Sequence, residues 1–157
     1  MNAHAEIPAQ SESDRAAIRA ANEWRGRCIN WFARMENVVM TALAHEAKGV
    51  KAESLFSQKL TRLERALAGN PRAMKAIAGL RDLVEVRNTI VHCEATVFEA
   101  KGKWLLQFAD FEGRVCRRIS DDEGEAICRD LQARVDRLRS YLAITKQTPD
   151  PAGRPSA

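Results

Sequence analysis

From Asp14 to Lys48, apolar residues return every three or four positions, at Trp24, Cys28, Trp31, Met35, Val38 and Ala42, with Ile18, Phe32, Val39 and Leu43 widening the stripe. That period predicts an amphipathic helix of about ten turns, closed by a glycine cap at Gly49. A second helix is predicted from Ala52 to Ala68, with Phe56, Leu60, Leu63 and Leu67 on its inner face. Gly69-Asn70-Pro71 ends it and opens a third, because proline suits the first turn of a helix. The third helix runs through Ala76, Leu80, Leu83, Val84, Ile90 and Val91 to Cys93. After Glu94 the period drops to two. Thr96, Phe98 and Ala100 alternate with Val97 and Glu99, Lys101-Gly102 reads as a tight turn, and Trp104, Leu106 and Phe108 alternate with Leu105 and Gln107, which is the pattern of a hairpin. A turn over Asp110 to Gly113 leads to a further short strand, Arg114 to Ile119. Ser120 followed by Glu123 has the spacing of a capping box, and a last helix is predicted to Thr145 with Ile127, Leu131, Val135, Leu138 and Leu142 inward.

These elements predict a mainly α chain, a four-helix up-and-down bundle with a β-hairpin or three-stranded meander between the third and fourth helices. Residues 13–147 are expected to form a single domain, with the β excursion over 95–119. The ends, 1–12 and 148–157, carry no such period and read as solvated tails. At 157 residues and 45% hydrophobic content, the chain is long enough for a proper core. It has neither an apolar run of roughly 20 residues nor a secretory signal, so a cytoplasmic location and no membrane contact are expected. Cys28, Cys93, Cys116 and Cys128 lack metal-site spacing and are expected as buried thiols rather than disulfides or zinc ligands. No metal-binding motif or phosphate loop is visible, and no cofactor is expected. The net charge of +4 and pI near 9.1 allow an anionic partner without requiring one.

The chemistry is concentrated late in the third helix, in Arg87-Asn88-Thr89-Ile90-Val91-His92. At about 100° per residue, Asn88 and His92 share a face that Glu85 and Arg81 extend backward. Arg87 instead falls among Leu80, Leu83, Val84, Ile90 and Val91. A charge in an apolar arc costs several kcal/mol unless it is paired or opens onto a cleft or interface.

The hexapeptide resembles the Arg-x4-to-6-His signature of HEPN domains, in which the position after the arginine is often Asn, Asp or His. The resemblance covers the helical architecture from Asp14 to Ile144, while residue-level identity is confined to the motif. It implies a homodimeric four-helix core that joins two motifs in one cleft, often as a metal-independent endoribonuclease of toxin or defence type. Arg87, Asn88 and His92 would be the catalytic residues, His92 taking the 2′-hydroxyl proton, Arg87 stabilising the phosphate and Asn88 orienting one of them. RNA, a second copy of the chain and a cognate antitoxin protein are the partners implied. HEPN toxins paired with a small nucleotidyltransferase commonly carry Tyr two residues after the histidine, where this chain has Glu94.

The plain reading of the residues is that Arg87 pairs with a buried carboxylate such as Glu36 while Asn88 and His92 form an ordinary polar edge. The rival function is a non-catalytic HEPN-like module binding nucleotides, RNA or protein, and a third is a purely structural helical dimer. Lys101, Lys103, Arg114, Arg117 and Arg118 lie near Phe98, Trp104, Phe108 and Phe111, a mixture that can hold single-stranded RNA. The same residues suit better a sheet with one apolar face packed and a charged, edge-protecting one. Trp24, Trp31 and Phe32 read as core or dimer contacts, and His45 as a residue favoured by the helix C-terminus.

Overall fold

Local chemistry sets the element boundaries. In the computed structural model, which describes residues 11–46 and 55–147, helix α1 spans Glu12–Glu46, α2 Phe56–Ala66, α3 Pro71–His92 and α4 Asp121–Gln147. Strands β1, Glu94–Ala100, β2, Lys103–Ala109, and β3, Val115–Ser120, lie between α3 and α4. The chain is therefore mainly helical with a small antiparallel sheet in the order β1-β2-β3, the meander rather than the lone hairpin. Ser11 Oγ accepts from the Asp14 N–H at 3.0 Å to cap α1. Asn70 Oδ1 accepts from the N–H groups of Arg72 and Ala73 at 3.1 and 3.2 Å, so α3 starts on an asparagine cap with Pro71 in its first position. Ser120 Oγ accepts from the Glu123 N–H at 3.3 Å, but the Glu123 carboxylate turns to Arg117; only the serine half of the expected capping box is made. The predicted cap at Gly49 and the predicted start of the second helix at Ala52 lie outside the described residues.

The described chain forms two compact units. The first takes residues 11–29 and 88–128, the second residues 30–87 and 129–147. In the first, Trp24 and Cys28 of α1, Ile90 of α3, Trp104, Leu106 and Phe108 of β2 and Ile119 of β3 are buried. β2 buries alternate residues, and its inner row meets Val97 of β1 and Ile119 of β3 across Leu106, so one sheet face supplies the core. Lys101 at φ 54° and Gly102 at φ 78° make the two-residue hairpin turn, which needs left-handed backbone at both positions. The second unit buries Phe32, Met35, Val39 and Leu43 of α1, Leu60 and Leu63 of α2, Ile77 and Leu80 of α3, and Leu131, Val135 and Leu138 of α4. Trp31 and Val38, expected on the inner stripe of α1, are only half-buried. The fully buried line runs through 24, 28, 32, 35, 39 and 42 instead, so Phe32 and Val39, expected to widen the stripe, lie at its centre.

Trp24 is fully buried, and its indole N–H donates to the Gly124 carbonyl at 2.7 Å. The Trp104 ring stands 5.2 Å from it, centroid to centroid. A Cβ on Gly124 would run into Trp104 Cη2 and come within 3.0 Å of the Trp24 indole, whereas a Cβ on Gly26 of α1 would meet nothing within 4 Å. Two identical substitutions are therefore expected to act in opposite directions. Gly26→Ala should raise stability by about 0.5–1 kcal/mol through helix propensity, and Gly124→Ala should lower it by about 1–3 kcal/mol through overpacking. Urea midpoints of the two variants check this; a stabilised Gly124→Ala would show that the tryptophan pair has room to give.

Candidate functional site

Arg87, Asn88 and His92 occupy the last turns of α3. Arg87 falls in the second unit, Asn88 and His92 in the first. The arginine is not sealed in an apolar arc. Its side chain keeps 22% of its exposure, and Nη2 lies 3.7 Å from Glu36 Oε2 of α1. That is the pairing the plain reading of the residues named, and it explains the charge without a second subunit. What the sequence reading missed is that Glu36 is shared: Lys59 Nζ of α2 reaches Glu36 Oε1 at 2.7 Å, with the lysine side chain only 5% exposed. Lys59 lies three residues after Phe56, on the inward arc of α2, and a lysine among buried leucines was the available signal. Arg81, at the head of the stripe that includes Asn88 and His92, is also used within the fold. It donates to Glu64 at 2.7 Å and to Thr61 at 3.0 Å, and this guanidinium holds the Glu64 carboxyl below its ordinary range.

Asn88 and His92 are exposed, one turn apart on α3. The turn that carries them is fastened by an arginine to which sequence reasoning assigned no role. Arg25 of α1 donates from Nε to the Ile90 carbonyl at 3.0 Å and from Nη2 to the Cys93 carbonyl at 3.2 Å. It satisfies two of the carbonyls that a helix end leaves open, with the favourable sign for a cation at a C-terminus. Glu94 then enters β1 after a single intervening residue.

Four of the five expected RNA-binding residues have partners within the first unit. Lys103 pairs with Asp122 at 2.8 Å, Arg114 with Asp110 at 2.9 Å and Glu112 at 3.0 Å, and Arg117 with Glu123 at 3.3 Å. Arg118 donates to Gln107 at 3.0 Å on the outward sheet face, and Lys101 is exposed in the hairpin turn. Asp110 also accepts from the N–H groups of Glu112 and Arg114; this bonding, from the Arg114 N–H first, holds its carboxyl below the ordinary range. The aromatics divide. Trp104 and Phe108 are buried, whereas Phe98 is 45% and Phe111 94% exposed. Among the described residues, no cluster of His, Cys, Asp and Glu could hold a metal ion, and no helix is long and apolar enough to cross a membrane.

The cysteines correct an expectation. Cys28 and Cys128 are buried, but Cys93 is half-exposed and Cys116 exposed. Cys93 stands just past the end of α3, and Cys116 sits on edge strand β3, where neither position is enclosed.

No family model, curated protein or solved structure matches this chain.

The shared carboxylate has a measurable consequence. Removing Glu36 leaves a buried lysine and a partly buried arginine without that counterion, whereas removing Arg87 leaves the shorter Lys59 contact in place. Glu36→Ala should cost about 2–4 kcal/mol and Arg87→Ala about half of that. Adding Lys59→Met to Glu36→Ala should recover most of the loss, since the buried charge is then gone. Chemical denaturation checks the order; an Arg87→Ala cost above that of Glu36→Ala would show that Lys59 does not depend on Glu36.

Proposed function

We propose that this chain is a HEPN-like endoribonuclease, built as a four-helix up-and-down bundle with a sheet insertion and acting as a homodimer in the cytoplasm. The observation that carries the reading is the end of α3, where a partly exposed arginine is followed by an exposed asparagine and, one turn on, an exposed histidine. In this reading His92 removes the 2′-hydroxyl proton and the 2′-oxygen attacks the adjacent phosphorus. The bond to the 5′-oxygen breaks, leaving a 2′,3′-cyclic phosphate and a 5′-hydroxyl that takes up a proton. Arg87 holds the non-bridging oxygens as their charge grows, a task for which a planar guanidinium is suited, and Asn88 orients the phosphate or the imidazole. No step draws on a metal ion. The second copy completes a composite Arg, Asn and His cleft at the dimer axis. A toxin or defence role, held in check by a cognate antitoxin protein, follows from the same resemblance.

One observation favours the second reading, a non-catalytic HEPN-like module that binds nucleotides, RNA or protein. Arg87 is in contact with Glu36, so part of its charge is answered within the chain. Four of the five sheet-region basic residues likewise have partners inside the protein, which makes them a poorer RNA surface than their number suggests.

The two readings separate in one experiment. Purified protein in EDTA should cut RNA to cyclic-phosphate ends and leave DNA intact, because DNA lacks the 2′-hydroxyl nucleophile. His92→Ala should lower the rate by about 10²-fold or more without changing its mass in light scattering. The wild-type mass should be twice the 17.5 kDa of one chain. Cleavage that needs Mg²⁺, or that survives His92→Ala unchanged, would sink the mechanism; RNA binding without cleavage would establish the second reading, and a monomer would remove the composite cleft.

A further inference from the structure

Two thiols that the functional reading does not use stand in contact within the first unit. Cys116 Sγ donates to Cys93 Sγ at 3.6 Å, and it also approaches the Phe108 carbonyl at 3.3 Å. The strand register explains how they meet. Phe108 pairs with Arg117 but Ala109 pairs with Val115, so Cys116 is the extra residue of a β-bulge and is released from the alternation of β3. Cys93 is held by its backbone: its N–H donates to the Thr89 carbonyl at 3.1 Å, and its own carbonyl accepts from Arg25 at 3.2 Å. A disulfide bond is about 2.05 Å long, so closure needs the two sulfurs to approach by about 1.5 Å.

We propose that Cys93 and Cys116 form a redox modification site, in which a hydroperoxide oxidises exposed Cys116 and Cys93 resolves the product as an intrachain disulfide. The Cys116 thiolate attacks one peroxide oxygen, the O–O bond breaks, and the thiol becomes a sulfenic acid while water or an alcohol leaves. The Cys93 thiolate then attacks the Cys116 sulfur, the S–S bond forms, the S–O bond breaks, and the hydroxide leaves as water with a proton. With hydrogen peroxide the sum is two thiols and one peroxide giving one disulfide and two waters. A dithiol reductant reverses it by exchange.

The order of events follows from exposure. Cys116 is open to solvent, whereas desolvation first, and the neighbouring Cys116 sulfur second, hold the Cys93 thiol above its ordinary range. The other two cysteines supply an internal control. Cys28 and Cys128 are buried, and burial, reinforced by Cys128, pushes the Cys28 thiol up to about 12, so hardly any thiolate is present there near neutral pH. The link would tie the residue after His92 to β3. It depends on the sulfur geometry alone and stands whether or not the chain cuts RNA.

The test is to reduce the whole protein, remove the reductant and add hydrogen peroxide in small molar excess at pH 8. Of the four thiols, two should disappear, the intact mass should fall by about 2 Da for the two hydrogens lost, and peptide mapping should join Cys93 to Cys116. Dithiothreitol should restore all four. In Cys93→Ser, Cys116 should persist as a sulfenic acid that a 1,3-diketone traps, and in Cys116→Ser, Cys93 should stay a thiol. The wild-type map decides even if a variant folds poorly. Sulfinic acid on Cys116 beside an intact Cys93 thiol, a disulfide between chains, a link between Cys28 and Cys128, or no loss of thiols would each overturn the proposal.

Discussion

The indole of Trp24 imposes the constraint on which the first unit depends. A tryptophan with no exposure must find an acceptor for its N–H, since an unsatisfied buried donor costs on the order of 1–3 kcal/mol. The acceptor here is the Gly124 carbonyl at 2.7 Å, in the first turn of α4. For that carbonyl to come so close, α4 must present a residue without a side chain beneath two indoles, and Gly124 is that residue. Its position also determines what precedes it. β3 ends at Ser120 and α4 begins at Asp121 with no linker between them, so the Ser120 cap, the last strand and the packing of Trp24 are one connected requirement. The inner sheet face of Trp104, Leu106, Phe108 and Ile119 is then held to α1 through the same tryptophan.

In the second unit a carboxylate plays the comparable part. Lys59 is more deeply buried than Arg87, so it loses more hydration and gains more from a close counterion; the 2.7 Å contact goes to it and the 3.7 Å contact to Arg87. This ranking changes what Arg87 means. Had it been the sole cation in an apolar arc, its presence would have demanded either a buried partner or an interface. With Glu36 already needed by Lys59, the arginine is a second and more exposed claimant on one acid, and its planar group keeps part of its surface at the outside of the fold. A structural role and a phosphate-holding role are therefore compatible in the same side chain, and stability measurements on Arg87 alone would not separate them.

The elements and their order were legible because they are specified locally. The 3.6 period of α1, the Asn70-Pro71 start of α3, the change to alternation after Glu94 and the Lys101-Gly102 turn each depend on a few neighbouring residues. The candidate site was legible in part. The charge of Arg87 within an apolar segment announced a partner, and Glu36 on α1 was a sound choice. The sharing with Lys59, the fastening of the α3 end by Arg25 and the meeting of Cys93 with Cys116 were not legible, because each joins side chains from separate elements in a geometry that no local pattern records. The bulge at Cys116 is the sharpest case. The short run from Arg114 to Ile119 gave no register against β2, and the one-residue shift between Phe108 and Ala109 is what releases Cys116 from the pairing.

The end of α3 brings these strands of argument to one place. A side chain that is to move a proton must be exposed to its substrate while its backbone stays fixed, since a displacement of about 1 Å can cost on the order of 10²-fold in rate. Exposed helix ends ordinarily fray, because their last carbonyls lack intrahelical partners. Here Arg25 binds two such carbonyls, on either side of His92, from a half-buried position on α1, and β1 begins two residues after the histidine. His92 thus combines an exposed imidazole with a main chain held on both sides. On the ribonuclease reading, Arg25 is a positioning residue rather than a group in contact with RNA. On the binding reading, the same fastening presents Asn88 and His92 as a rigid polar edge. Either way, the main chain on both sides of His92 is bonded to a residue more than sixty positions earlier in the chain.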